Sequence, residues 1–256
     1  MNPSFAIQSS DPDLLAKARR IANNNASSLI CDDLTGIVLL GAVVRGYFDE
    51  AADIDIAVYK RPGSQFAIPE KFFKIEEIEL HIWLSDFENE RTSAWDMAKR
   101  WTFSLCQVVH DPSGEVARLI AAKVPLQADE RRWLLMSGLV LSEWYINRLT
   151  ELWLQRGDPL SAQAMFQVGL EYFYEMLFGL NDSLVPDRKW RTYCVQRLRR
   201  LPADFSLHLQ ETLLLHEIST AEQQRRKAAF MAMWRELQPT VEAEVGMSFD
   251  EMVELV

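Results

Sequence analysis

The spacing of apolar positions changes character once along the chain. Asp11-Pro12-Asp13 supplies a cap residue and a proline at the first helical position. Leu14, Leu15, Ala18, Ile21 and Ala22 then recur at helical spacing, predicting a helix that closes near Asn23-Asn24-Asn25. Gly36 to Leu40 reads as a short buried strand ending in a glycine turn, and Asp53 to Tyr59 as a second strand. Arg61-Pro62-Gly63-Ser64 marks a loop. Ile75 to Leu84 alternates as one strand, with Ile78, Leu80, Ile82 and Leu84 on one face and Glu77, Glu79, His81 and Trp83 on the other. A helix is predicted from Phe87 to Trp101, a fourth strand from Leu105 to His110, a turn at Asp111-Pro112-Ser113-Gly114, and a helix onward to Lys123.

Strand patterns stop after Val124-Pro125. From Ala128 to Arg156, Trp133, Leu134, Met136, Leu139, Leu141, Trp144, Tyr145, Leu149 and Leu152 follow helical spacing. Asp158-Pro159 opens an aromatic-rich helix to Leu180, which Asn181-Asp182-Ser183 and Pro186 break. A short basic helix is predicted over Lys189–Leu201, closed before Pro202, and later helices include one over Thr220–Leu237. The pattern predicts an α+β protein. Residues 1–125 form a mixed α/β domain with a small sheet, and residues 126–256 form a helical bundle domain.

Composition changes this picture little. Of 256 residues, 48% are hydrophobic and 25% charged, the range of globular domains. The net charge of -10 argues against a general nucleic-acid partner, which calls for a basic footprint. Cys31, Cys106 and Cys194 are far apart without CxxC spacing and read as thiols in a reducing compartment, neither a disulfide nor a zinc framework. Met1 to Ser10 lacks the basic and apolar regions of a secretory signal, and no apolar run reaches membrane-spanning length. The expectation is a cytoplasmic protein without a membrane partner. Its oligomeric state is left open, a dimer included.

The candidate chemistry sits in Leu39-Leu40-Gly41-Ala42-Val43-Val44-Arg45-Gly46 and Asp53-Ile54-Asp55-Ile56. Asp53 and Asp55 share a strand face, with Cα atoms about 6.5 Å apart over two strand rises. A glycine turn beside them lets backbone approach a ligand. Paired carboxylates in that setting suit Mg²⁺ bridging nucleotide phosphates. The turn is neither a Walker A motif nor GxGxxG. Alternatively, Asp53 caps a loop and Asp55 lies on a solvated face.

The order and spacing of these residues resemble the nucleotidyltransferase superfamily typified by DNA polymerase beta, and most of all its small bacterial antibiotic-modifying branch. Gly41-Ala42-Val43-Val44-Arg45-Gly46 is similar to that family's Gly-Ser-x-Ala-Arg-Gly run, and Asp53-Ile54-Asp55-Ile56 to its Asp-hydrophobic-Asp-hydrophobic strand. The resemblance covers residues 30–112, with a helical domain afterwards, as in many members. It implies that Asp53 and Asp55 ligate Mg²⁺ carrying a nucleoside triphosphate, by default ATP. A third carboxylate would complete the metal site and draw the proton from the attacking hydroxyl. Glu79 is the first candidate, with Glu77 next and Glu171 and Glu175 as outside candidates from the helical half. A solvated Glu79 among Glu76 and Glu77 is the plain alternative.

Gly41 and Ala42 would hold a phosphate through backbone N–H groups. Ala42 stands where the family's phosphate-binding serine is expected, a hydrogen bond worth about 1.5–3 kcal/mol. Arg45 would steady phosphates or pair with an acid such as Asp53. Arg188, Lys189, Arg191, Arg197, Arg199 and Arg200 form a basic stretch without acids. Lys189 is its leading phosphate candidate, against a solvated helix face. His81 shares the face of Glu79, as a proton shuttle or a structural histidine. The resemblance thus implies transfer of a nucleoside monophosphate from the triphosphate to the hydroxyl of a small molecule, in a cleft between the two halves. The alternative is a nucleotide-binding regulator or antitoxin-like module on the same fold.

Overall fold

β1 (Leu34–Leu40), apolar apart from Thr35, is buried at every position, as a strand with neighbours on both edges and layers on both faces demands. In the computed structural model, which describes residues 5–256, β1 lies in the first of two compact units, which ends at Pro125; the second runs from Leu126. The first unit is built from α1 (Pro12–Ser28), β1, α2 (Gly41–Arg45), β2 (Ile54–Lys60), β3 (Phe72–Ile75), β4 (Ile78–Asp86), α3 (Phe87–Thr92), α4 (Met97–Phe103), β5 (Gln107–His110) and α5 (Glu115–Lys123). The strands form one mixed sheet in the order β3-β4-β2-β1-β5. β2 and β4 pair in parallel and every other pair is antiparallel.

One sheet face buries Val38, Leu40, Ala57 and Tyr59 against Phe87, Trp95 and Phe103 of the α3–α4 segment and Val116 and Leu119 of α5. The alternate positions Ile37, Leu39, Ile54, Ile56 and Val58 are buried on the other face, where α1 packs on β1, β2 and β5. Asp11 caps α1, accepting from the N–H groups of Asp13 and Leu14, with Pro12 at the first helical position.

Two predicted elements of this unit are corrected. Ile75 to Leu84 is not one strand but a hairpin, in which Ile75 faces Ile78 and the chain reverses at Glu76-Glu77 with φ of 50° and 70°. Two consecutive positive-φ residues make the I′-type turn that matches strand twist, a turn usually signalled by Asn or Gly. Here α1 supports it: Arg20 donates to both Glu76 carboxylate oxygens at 2.9 and 2.8 Å, and Lys17 donates to the Glu76 carbonyl at 2.9 Å. The predicted helix Phe87–Trp101 is two helices, because Asp96 starts a new one by accepting from the N–H of Lys99.

The second unit is helical: α6 (Ala128–Glu143) continuing through a π-helical turn (Trp144–Leu149) into α7 (Thr150–Gln155), then α8 (Pro159–Leu180), α9 (Arg188–Val195), α10 (Phe205–Leu213), α11 (Thr220–Val245) and α12 (Phe249–Val253). The basic helix ends at Val195, earlier than the predicted Leu201. α11 runs beyond the predicted Leu237, through Pro239, because Leu237, Val241 and Val245 keep one face buried at helical spacing. Gly246 then closes it in the left-handed conformation. Among the described residues no helix is long and apolar enough to cross a membrane, and all three cysteines are free thiols.

The start of α11 carries a pH signature. Glu222 is buried and accepts from both Nε and a terminal nitrogen of Arg225 and from the N–H of His216. The Arg225 hydrogen bonds first, then the His216 N–H, bring its carboxyl down from 4.5 to about 2. A depressed carboxyl contributes stability above its unfolded value and loses it as pH falls through the folded value. Glu222→Gln should therefore lower the unfolding midpoint at pH 7, with the gap to wild type narrowing below pH 4.5 and closing near pH 2. Thermal melts across that range check this; a gap independent of pH would contradict it.

Candidate active site

The face that buries Ala57 and Tyr59 carries Asp55 two residues earlier on β2, beyond the cover of α3 to α5. Asp55 lies opposite Leu40 of β1 and opposite His81 of the parallel β4. Asp53 immediately precedes β2 and shares the orientation of Asp55. Their side chains are 42% and 26% exposed, open enough to meet a ligand.

The chain must pass very close to Asp55 as it leaves β1. Gly41 has φ of +70°, and a Cβ added there would lie 2.6 Å from Asp55 Oδ2. Glycine answers both demands, the left-handed backbone and the absent side chain. α2 then starts with no side chain capping its first turn, and Gly46 ends it in the left-handed conformation. Ala42 is buried and brings no hydroxyl to this turn.

His81 is the residue that ties the site together. Its Nδ1 lies 3.0 Å from Asp53 Oδ2 and 3.9 Å from Asp55 Oδ1, and its Nε2 lies 3.2 Å from Glu79 Oε1. Trp83, two residues on, donates its indole N–H to Asp55 Oδ1 at 3.3 Å. Phe72 of β3 sets its ring edge-to-face on His81 with centroids 5.0 Å apart. Ligand atoms of Asp53, Asp55 and His81 all lie within 4.8 Å of one another, a spacing that one metal ion can bridge. Two carboxylates and an imidazole are a chemically sound donor set for a divalent cation.

The expected site residues are thus placed unevenly. Gly41, Asp53 and Asp55 come together. Glu79 reaches the aspartates only through the imidazole, and among the described residues it is not part of the metal-sized cluster. Glu77 sits in the hairpin turn. Arg45 is buried: its guanidinium lies 3.7 Å over the Trp101 ring and donates to the Trp101 carbonyl at 2.8 Å, which pins α2 to α4. Tyr47 is buried nearby. Burial pushes its phenol well above the usual range, Arg45 opposes that, and Asp49, Asp53 and Asp55 add to it.

In the helical unit Lys189 is exposed on the first turn of α9. Arg191 is committed within the unit, to Glu171 at 2.5 Å and Glu175 at 3.0 Å, which also occupies the two outside candidates for a base. Burial raises the Glu175 carboxyl and Arg191 opposes the rise. Arg200 pairs with Glu244 at 2.6 Å, and Arg197 stacks over Tyr193. The residue whose weight the sequence understated is His81. Its signal was present in the alternation that set it beside Glu79 and Trp83.

No protein-family model matches the chain, and no curated protein matches it. Among solved structures, it is similar to a nucleotidyltransferase-like protein from Exiguobacterium sibiricum 255-15, with a TM-score of 0.49 and 11% identity over 91% of this chain and 78% of that one.

Proposed function

We propose that the chain is a metal-dependent nucleotidyltransferase that moves a nucleoside monophosphate, AMP from ATP, onto the hydroxyl of a small molecule. The carrying observation is the pair Asp53 and Asp55, facing the same way at the start of β2, beside a left-handed glycine at which an added Cβ would lie 2.6 Å from Asp55 Oδ2. The resemblance of the two sequence stretches to the nucleotidyltransferase superfamily supports the same reading.

In this reading Asp53 and Asp55 hold a divalent cation with the triphosphate. When bound, the cation neutralises charge on the phosphate oxygens. Trp83 fixes Asp55 by donating to Oδ1, and Gly41 keeps the space beside Oδ2 clear. The acceptor oxygen bonds to the α-phosphorus as the bond to the pyrophosphate oxygen breaks. Its proton goes to Glu79 Oε2, on the half-exposed carboxylate whose other oxygen, Oε1, is engaged by His81. Ala42 leaves the turn without a hydroxyl, so its phosphate contacts fall to backbone N–H groups.

The test is exchange of labelled pyrophosphate into ATP, and transfer of labelled AMP to a panel of hydroxyl acceptors, each with Mg²⁺ and with Mn²⁺. Metal-dependent exchange or transfer is expected. ATP binding with neither would sink the transferase reading and favour a nucleotide-binding regulator, which Ala42 would suit.

A further inference from the structure

We propose that the metal site of this chain is built for a transition-metal dication, of the Mn²⁺-to-Zn²⁺ class, rather than for Mg²⁺. His81 Nδ1 is its third protein ligand, and Glu79 is the residue that holds the imidazole in place. This rests on the reading that Asp53 and Asp55 hold a cation, and it departs from the Mg²⁺ and the all-carboxylate set that the sequence resemblance implies.

Mg²⁺ is a hard ion that demands near-octahedral oxygen ligands and keeps its waters. Imidazole suits later first-row dications, whose affinity for nitrogen-containing sites rises along the series from Mn²⁺. Here the third member of the cluster is a histidine, and the nearby carboxylate, Glu79, stands behind it.

The support for the ring argues for a ligand and against a chance neighbour. Carboxylates face both ring nitrogens, Glu79 Oε1 at 3.2 Å from Nε2 and Asp53 Oδ2 at 3.0 Å from Nδ1. A cation held between the aspartates would take the Nδ1 lone pair and leave the ring proton on Nε2, where Glu79 accepts it. Nδ1 also faces Asp55, at 3.9 Å. A ligating histidine whose other ring nitrogen donates to a carboxylate is the recurrent arrangement around such metals, and it fixes both tautomer and ring orientation. Phe72 packs edge-to-face on the same ring, setting its plane. Asp55 and His81 are partners across paired parallel strands, so their spacing is held by backbone hydrogen bonds rather than by a loop. Asp55 has a similar outer support in the Trp83 indole N–H. Each protein ligand on the sheet is therefore oriented by a second residue.

The experiment titrates the full chain, stripped of metal with a chelator, with MnCl₂ and separately with MgCl₂ in the absence of nucleotide. Pulsed electron paramagnetic resonance of the Mn²⁺ form reads the ligand atoms directly. Mn²⁺ is expected to bind at least about tenfold tighter than Mg²⁺ and to show ¹⁴N coupling from one imidazole. His81→Asn should abolish that coupling and weaken Mn²⁺ by about tenfold or more, while changing Mg²⁺ less than about threefold. Glu79→Ala should weaken Mn²⁺ by about tenfold, as outer-shell partners do, with Glu79→Gln recovering much of the loss because its carbonyl still accepts from Nε2. Equal affinity for the two ions, or Mn²⁺ bound without nitrogen coupling, would overturn the proposal. The coupling is measured on wild-type protein, so this result stands even where a variant folds poorly. If Asp53→Asn and Asp55→Asn leave both affinities unchanged, the cation is not at this site and the functional reading fails with it. If nitrogen coupling is present but exchange and transfer are absent, the metal assignment holds and the transferase reading falls.

Discussion

Asp55→Asn is expected to lower nucleotidyl transfer by about a thousandfold or more while leaving the unfolding midpoint close to wild type. Removing one group that stabilises charge in a transition state costs about a hundred- to a thousandfold, and a metal-holding carboxylate is at the upper end because it also sets the ion's position. A thousandfold loss corresponds to about 4 kcal/mol at 1.36 kcal/mol per decade. The fold has little reason to object. Asparagine keeps the shape and one carbonyl oxygen that can still accept from the Trp83 indole, and the side chain is already 26% exposed. Its face of the sheet is held further along by Ala57 and Tyr59, which the substitution does not touch. Initial rates with labelled ATP and a thermal melt of the same preparation check both halves. Activity within tenfold of wild type, with an intact melt, would remove Asp55 from the chemistry.

The sheet unit was legible where burial alone decides structure. β1 and β2 are mostly apolar with no competing helical period, and the shared face of Asp53 and Asp55 followed from strand alternation. The hairpin at Glu76-Glu77 was hidden because its local residues do not favour positive φ, and what holds it comes from Arg20 and Lys17, more than fifty residues away. Arg45 illustrates the same limit. A lone arginine after a glycine turn reads as an anion contact, and only the fold brings the ring of Trp101 beneath it. In the site itself, alternation put Glu79, His81 and Trp83 on one face, but register decided their ranks. The parallel pairing sets His81, not Glu79, against Asp55. A single-strand pattern carries no information on that offset.

The helical unit offers the sharpest test of packing, at the crossing of α6 and α8. Gly138→Ala should destabilise the chain by about 2 kcal/mol, although alanine is the better helix former by about 1 kcal/mol. Local propensity and packing thus predict opposite signs, and distance decides between them. A Cβ on Gly138 would lie 2.5 Å from the Met176 Cβ, 2.8 Å from the Tyr172 carbonyl oxygen and 2.9 Å from the Met176 Cα. Two of these are backbone atoms of α8 and the third is fixed to it, so no rotamer change relieves the contact. A shift of α6 would also disturb the hydrogen bond that the Trp234 indole of α11 donates to its Leu139 carbonyl at 3.0 Å. Gly138→Val adds two methyls in the same direction and should cost about 4 kcal/mol or more, the range reserved for a disrupted core. Gly179, on α8 at the same crossing, is the internal control. There a Cβ would meet the Leu134 Cβ at 3.1 Å and the end of the Leu135 side chain at 3.4 Å, distances that a small shift accommodates. The propensity gain then offsets the strain, and Gly179→Ala should leave stability within about 0.5 kcal/mol of wild type. Urea unfolding of the three variants, followed by far-ultraviolet circular dichroism, ranks them directly. If Gly138→Ala proved more stable than wild type, α6 and α8 would not be in the close contact described, and propensity would be the stronger term at this crossing.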